Sequence, residues 1–306
     1  MRFGRIIQVA AIGLIAALVM AGCATGSALG DERSWAQGMG DDVSHRVGNA
    51  ERPAGEIRVM PDLRMDDGLP SKIGLSEPTG TWFFADGGGR LGYGLTGGVR
   101  QPGSEWAVTL FAHDEGGVPV HRDVRIRLTQ RSPELEELSL LSEMIVRVET
   151  VAGEVQIAAG AIPDEVNALY ALSAEVLDAE GRAEDTRASL IYVPAPEINA
   201  SLATDRDVYG AADREGRLVL ANDGPTVLVL GLAYTIEKRV GDEWRVVPLD
   251  LAFAEIALYL MPGETHEQTF DLSALPEGRY RIVKQVWAEG FEDLSATLAA
   301  EFRVER

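Results

Sequence analysis

From about Glu56 onward, apolar and polar residues alternate with a period of two over much of the chain. In the segment EWAVTLFAHD, Trp106, Val108, Leu110 and Ala112 fall on one face. In RDVRIRLTQ, Val124, Ile126 and Leu128 alternate with Asp123, Arg125, Arg127 and Thr129, and in NALYALSAEVLD, Tyr170, Leu172, Ala174 and Val176 share a face. Successive strand side chains point to opposite faces, so this pattern predicts antiparallel strands with one face on a core and one in water. The turn-rich stretches DEGGVP, IPDE and DAEGR separate the runs. Many short strands between turns predict a sandwich or open barrel.

One stretch breaks the alternation. In SPELEELSLLSEM, Ser132 is a candidate N-cap, Pro133 suits a first helical position, and Glu134, Glu136 and Glu137 favour the N-terminal end of a helix dipole. Leu135, Leu138, Leu141 and Met144 recur every three residues. The spacing predicts a short helix over 133–143 that covers one end of the core, with a partner-binding surface as the alternative.

Pro194 and Pro196 in IYVPAPEINA stiffen the chain and disfavour helix before them, which places a domain seam near Pro196. Beyond it, TVLVLGLAYTIEKR, the turn VGDE and WRVVPL read as a hairpin, and MPGE and LPEG punctuate further strands. Roughly seven strands in about 110 residues is the size of one immunoglobulin-like sandwich. The expected fold is all-β, with two tandem immunoglobulin-like β-sandwich domains at 56–196 and 197–306. Arg279–Trp287 is expected to be a core strand, because Tyr280, Ile282 and Val286 share one parity and Val283 and Trp287 the other. Lys284 shares the parity of Tyr280, so it must snorkel at the sheet edge or pair with an acid.

The N-terminus follows a different pattern. Arg2 and Arg5 precede an apolar run over residues 6–20, then the small residues Ala21 and Gly22, then Cys23. The run is short for a spanning helix and has the form of a secretory signal. Met20-Ala21-Gly22-Cys23 resembles the lipobox of bacterial lipoproteins, with Met20 where leucine is usual. That resemblance implies cleavage before Cys23, acylation of its sulfur by palmitate or a similar chain, and export to the cell envelope on a lipid anchor. The expected organisation is a signal peptide at 1–22 and an acylated cysteine with a flexible tether at 23–55. Gly26, Gly30, Gly38, Gly40 and Gly48 interrupt the tether, no period emerges there, and Trp35 and His45 read as incidental.

Composition narrows the choice of partners. The formal net charge is -20, and residues 1–22 carry only Arg2 and Arg5, so the remainder is more acidic still. Such a surface repels nucleic acid and anionic headgroups, leaving the lipid as the membrane contact and an envelope protein as the expected partner. Cys23 is the only cysteine, so no disulfide framework is expected.

A second resemblance sits in the last third of the chain. Tyr209, Asn222, Gly231, Tyr234, Trp244, Pro248, Pro262, Gly263, Gly278, Tyr280, Arg281, Ile282 and Lys284 are arranged as in bacterial Ig-like domains of exported lipoproteins, with PEGRYRIVK the most specific piece. The resemblance implies that Gly278 and Tyr280 serve the fold, with the tyrosine hydroxyl finding backbone, and it implies no reaction.

Candidate chemistry is sparse. His45, His113, His121 and His266 lack metal-ligand spacing, and His113, Asp114 and His121 flank one turn. FFADGGGRLGYG does not match a phosphate-binding loop and reads as a hairpin loop. Asp205, Asp207 and Asp213 lie close together without EF-hand spacing, so calcium is a minor alternative to a charged edge. No G-x-S-x-G occurs, and lipidation removes Cys23 as a nucleophile. No catalytic residue, cofactor or metal site is expected. The reading is a non-enzymatic envelope lipoprotein acting as a binding or spacer module. The alternatives are a small-ligand or Ca²⁺-binding lipoprotein and a protease-inhibitor-like Ig module.

Overall fold

The computed structural model describes residues 29–49, 68–84, 88–114 and 116–306. The signal-like run and Cys23 lie outside the described residues, as does 50–67. The chain is all-β, as its alternation predicts. An N-terminal arm carries β1 (Arg46–Val47). The short helix α1 (Leu69–Lys72) then leads into the first sandwich. Its strands are β2 (Gly92–Leu95), β3 (Gly98–Val99), β4 (Glu105–Ala112), β5 (Val118–Arg131), β6 (Glu137–Val151), β7 (Gly153–Ala161), β8 (Ala168–Leu177) and β9 (Ala183–Val193). The second sandwich holds β10 (Ala200–Thr204), β11 (Val208–Tyr209), β12 (Glu215–Asn222), β13 (Leu228–Leu230), β14 (Thr235–Val240), β15 (Glu243–Val246), β16 (Leu258–Leu260), β17 (Thr265–Asp271), β18 (Gly278–Ala288) and β19 (Ser295–Val304).

In the first sandwich a three-stranded sheet, β2-β4-β7, packs on a five-stranded sheet, β3-β9-β8-β5-β6. The alternating apolar residues of β4, β5 and β8 meet in one buried cluster that includes Trp106, Leu110, Ile126, Leu128, Tyr170 and Leu172. In the second, β1-β10-β12-β17 packs on β11-β19-β18-β13-β16, with β14 joining β18 and carrying β15. Tyr209, Phe270, Tyr280 and Phe302 form the aromatic centre of its core. In both sandwiches a two-residue strand near the start runs parallel to the last strand, β3 with β9 and β11 with β19.

The expected helix at 133–143 is a turn followed by a strand. Ser132 Oγ accepts from the backbone N–H of Glu134 at 3.2 Å and Glu136 at 3.3 Å, capping a tight turn instead of a helix. Leu135 has φ 70°, which ends any helix at that point. From Glu137 the chain pairs antiparallel with β5 along nearly its whole length. Sheet pairing with a long neighbour overrides the local preference, and the β-branched run from Ile145 onward supports it.

The expected tether at 23–55 is likewise not free over residues 29–49. Trp35 is only 5% exposed and belongs to the core of the second sandwich, its indole N–H donating to Leu29 O at 2.8 Å. Gly38 N–H donates to Trp244 O at 2.8 Å and Val246 N–H to Ala36 O at 2.9 Å, so the arm docks beside β15. It then reaches β19, where Ala299 N–H donates to Ser44 O at 2.9 Å, and ends in β1, which pairs with β10. Gly48, at φ 82°, fits because any Cβ would stand 1.9 Å from Asn199 Oδ1. The arm is therefore a strap binding both sheets of the second sandwich.

β9 ends at Val193 and β10 begins at Ala200, so Pro194 and Pro196 lie in the link between the two sandwiches. Leu69, Ile73, Val99, Leu190, Tyr192 and Val227 form a third buried cluster across it. The Tyr192 hydroxyl donates to Pro225 O at 2.8 Å, and Gln101 Nε2 donates to Gly290 O at 2.9 Å. These contacts join the two sandwiches through an apolar seam.

Candidate functional site

The PEGRYRIVK motif builds the start of β18. Tyr280 is fully buried, its ring stacks on Phe302 with centroids 5.6 Å apart, and its hydroxyl donates to Pro276 O at 2.7 Å. Burial pushes its phenol well above the usual tyrosine range. The motif tyrosine thus does what the Ig-like resemblance implies. At Gly278 a Cβ would sit 2.5 Å from Lys238 Cε, so the glycine leaves room for that side chain.

Lys284 departs from expectation. It neither snorkels nor meets an acid. It is buried, and its ammonium donates to Gly231 O at 2.7 Å, Ala233 O at 3.2 Å and Gln268 Oε1 at 3.3 Å. Three donors meet three acceptors, which is the full capacity of an ammonium. Burial pushes its pKa down to about 8. Next to it, burial and the Lys284 charge push His266 below the usual imidazole range. The lysine pins the loop between β13 and β14 to both sheets.

A second buried group lies on the outer face of the same sheet. Arg281 and Glu237 are both almost fully buried and pair through Arg281 Nε at 2.7 Å and Nη2 at 2.6 Å. The guanidinium lies 4.3 Å from the Trp244 ring centroid and also donates to Met39 O. Glu237 Oε1 accepts from Met39 N–H at 2.8 Å, and Lys238 Nζ pairs with Glu32 at 2.5 Å. Two buried charges that cancel one another are thereby used to grip the arm. Asp41 reinforces the grip, held below the usual carboxylate range by its hydrogen bond to Arg239.

The remaining candidates are occupied separately. His121 Nδ1 lies 2.6 Å from Glu149 Oε2, whereas His113 stacks on Phe84. Asp205 Oδ1 accepts from the Tyr209 hydroxyl at 2.8 Å and Arg217 N–H at 2.7 Å, and Asp213 accepts from Arg206 at 2.9 Å and Gly210 N–H at 2.7 Å. The backbone carbonyl of Asp207 accepts from Arg303 N–H at 2.8 Å. Among the described residues no three His, Cys, Asp or Glu side chains gather as a metal ion requires. His45 lies on the strap, where its carbonyl accepts from Leu202 N–H at 2.8 Å. Phe83 and Leu91, on either side of the glycine-rich stretch, form a parallel bridge and are both buried, while residues 85–87 lie outside the described residues.

The pattern reading missed Asp185. This fully buried carboxylate in β9 accepts from Trp82 N–H at 2.8 Å, Phe83 N–H at 2.9 Å, Thr79 N–H at 2.9 Å and Thr186 N–H at 3.0 Å. It fixes the segment leading into the first sandwich. Its signal in the sequence is the polar run 184–187 at the start of an otherwise largely apolar strand.

Two packed sheets, a late strand opening on a buried tyrosine and a short parallel strand at the edge describe an Ig-like module. Residues 196–303 match the family model of a bacterial Ig-like domain. The match spans about a third of the chain, and the strap that completes this domain lies outside it. None of the curated proteins matches the chain. Solved structures with a distant likeness include a red sea bream transglutaminase, at 13% identity and TM-score 0.31, covering 71% of this chain and 31% of that one. An E. coli alpha-2-macroglobulin follows at 15% identity and TM-score 0.27, covering 70% and 16%. A tetra-tandem repeat in the extending region of a large adhesion protein stands at 14% identity and TM-score 0.28, covering 70% and 49%. The chain thus spans half or less of each of those chains.

Proposed function

We propose that this chain is a lipid-anchored, non-enzymatic envelope protein in which two β-sandwiches act as one spacer or presenting body. The apolar seam carries this reading. A binding arm built on a free hinge would leave the two sandwiches with little buried between them, whereas here Tyr192 is buried and bonded to Pro225 across the seam. The bacterial Ig-like match at 196–303 supports a module whose late strand, opening on the buried Tyr280, serves packing instead of a reaction. The lipobox-like tetrad ending at Cys23 supports the anchor.

The strap changes the geometry of such an anchor. Leu29 already packs against the second sandwich, so five residues, 24–28, separate it from Cys23. Even fully extended, that span reaches only about 20 Å. The second sandwich would be held against the bilayer surface. No described helix is long and apolar enough to cross a membrane. The test is metabolic labelling of growing cells with a radioactive fatty acid. The unsubstituted chain takes up the label and Cys23→Ala does not; equal labelling of both overturns the anchor.

A further inference from the structure

We propose that β6 is a self-complementary edge through which two copies of this chain join their first sandwiches into one continuous sheet, and this stands independently of the lipid anchor. Among the described residues β6 is hydrogen-bonded only to β5, which leaves the backbone of its other side open. Proteins normally blunt such an edge with lysine, proline, inward-pointing charge or β-bulges, and the irregularities of the β5–β6 ladder lie outside Ser142–Val148. β6 contains neither lysine nor proline, and it exposes Leu138 at 60%, Leu140 at 51% and Ile145 at 59%. A long edge with uncovered apolar groups is a template for strand addition.

The order of residues selects the occupant. β6 keeps regular register with β5 over Ser142–Val148, with irregularities on both sides, and the centre of that regular segment is Ile145. An antiparallel pair related by a two-fold axis at Ile145 sets Glu143 of each copy opposite Arg147 of the other. It sets Met144 opposite Val146 and Ile145 opposite itself. Directly opposed residues of an antiparallel pair share a face, so each Glu143–Arg147 pair forms on the outer face, flanking the two isoleucines. Centring the pair on Glu143 would instead oppose two glutamates, and centring it on Arg147 would oppose two arginines. An isologous contact needs one patch that complements itself, and this segment does.

The test uses the full chain in cells, with single cysteines on β6 and a mild oxidant. The unsubstituted chain, whose only thiol is Cys23, sets the background. Ile145→Cys places two thiols across the two-fold axis, where opposed Cα atoms are about 5 Å apart, within disulfide range. Leu141→Cys is also on an exposed position, but the two copies would be eight residues apart along the strands, about 27 Å. The expected result is a dimer band for Ile145→Cys at least tenfold above that for Leu141→Cys. Adding Glu143→Arg reduces the band, and adding Arg147→Glu to that variant restores it. Equal bands at the two positions, or none at either, overturn the proposal, as does a band indifferent to the charge changes. Unfolding midpoints measured alongside confirm that each variant is folded.

Discussion

Trp35 separates a strap from a tether. On a free tether, Trp35→Ala changes stability by less than about 0.5 kcal/mol, as for an ordinary surface site. On the strap, the indole is 5% exposed and packed in the core cluster with Ile198, Leu202 and Ile236. A tryptophan buries roughly 150–250 Å². At about 25 cal/mol per Å² this is about 4–6 kcal/mol, an upper bound because the unfolded chain already hides part of that surface. Truncations of this size in cores cost about 3–5 kcal/mol, and the lost bond to Leu29 O falls within that range. With a urea dependence of about 2 kcal/mol per M, the transition of the second sandwich moves down by about 2 M. Urea titration followed by far-ultraviolet circular dichroism reads the shift, and Trp35→Phe recovers part of it. An unchanged midpoint for Trp35→Ala refutes the strap.

Asp185→Asn replaces one acceptor oxygen by an amide that faces backbone donors, so it destabilises the first sandwich by about 2–4 kcal/mol in thermal or urea unfolding; a loss under 0.5 kcal/mol contradicts its role. Tyr280→Phe, which removes only the bond to Pro276 O, costs about 1 kcal/mol, whereas Tyr280→Ala costs about 3–5 kcal/mol in the same assay. Lys284 titrates near 8 when folded and near 10.5 when unfolded, so between those values the unfolded chain binds the extra proton. Stability of the unsubstituted protein relative to Lys284→Met therefore rises with pH from about 8 to 10.5, by up to about 3 kcal/mol, and a pH-independent difference refutes the buried ammonium.

The strands were legible wherever one face meets water. Trp106, Val108 and Leu110, or Val124, Ile126 and Leu128, alternate in the sequence because they alternate in space, and all are buried as expected. Residues 133–143 misled because Ser132 and Pro133 suit a turn as well as a helix, and only the long partner β5 decides between them. The strap was invisible for a related reason. Its one ladder is two residues long, so it has no period, and its partners Glu237, Trp244 and Arg281 lie about 200 residues away. Lys284 stands out in the sequence as a charge on the core parity of its strand, but its partners are mostly backbone carbonyls of a loop, which carry no residue signature.

The central claim is a two-sandwich body held at the membrane through Cys23, and mass spectrometry of the mature N-terminus tests it most directly. The account predicts an N-terminal peptide that begins at Cys23 and carries the mass of two or three acyl chains, with the strap residues following within a few positions. A mature chain that begins elsewhere, or one that begins at Cys23 with an unmodified thiol, contradicts it.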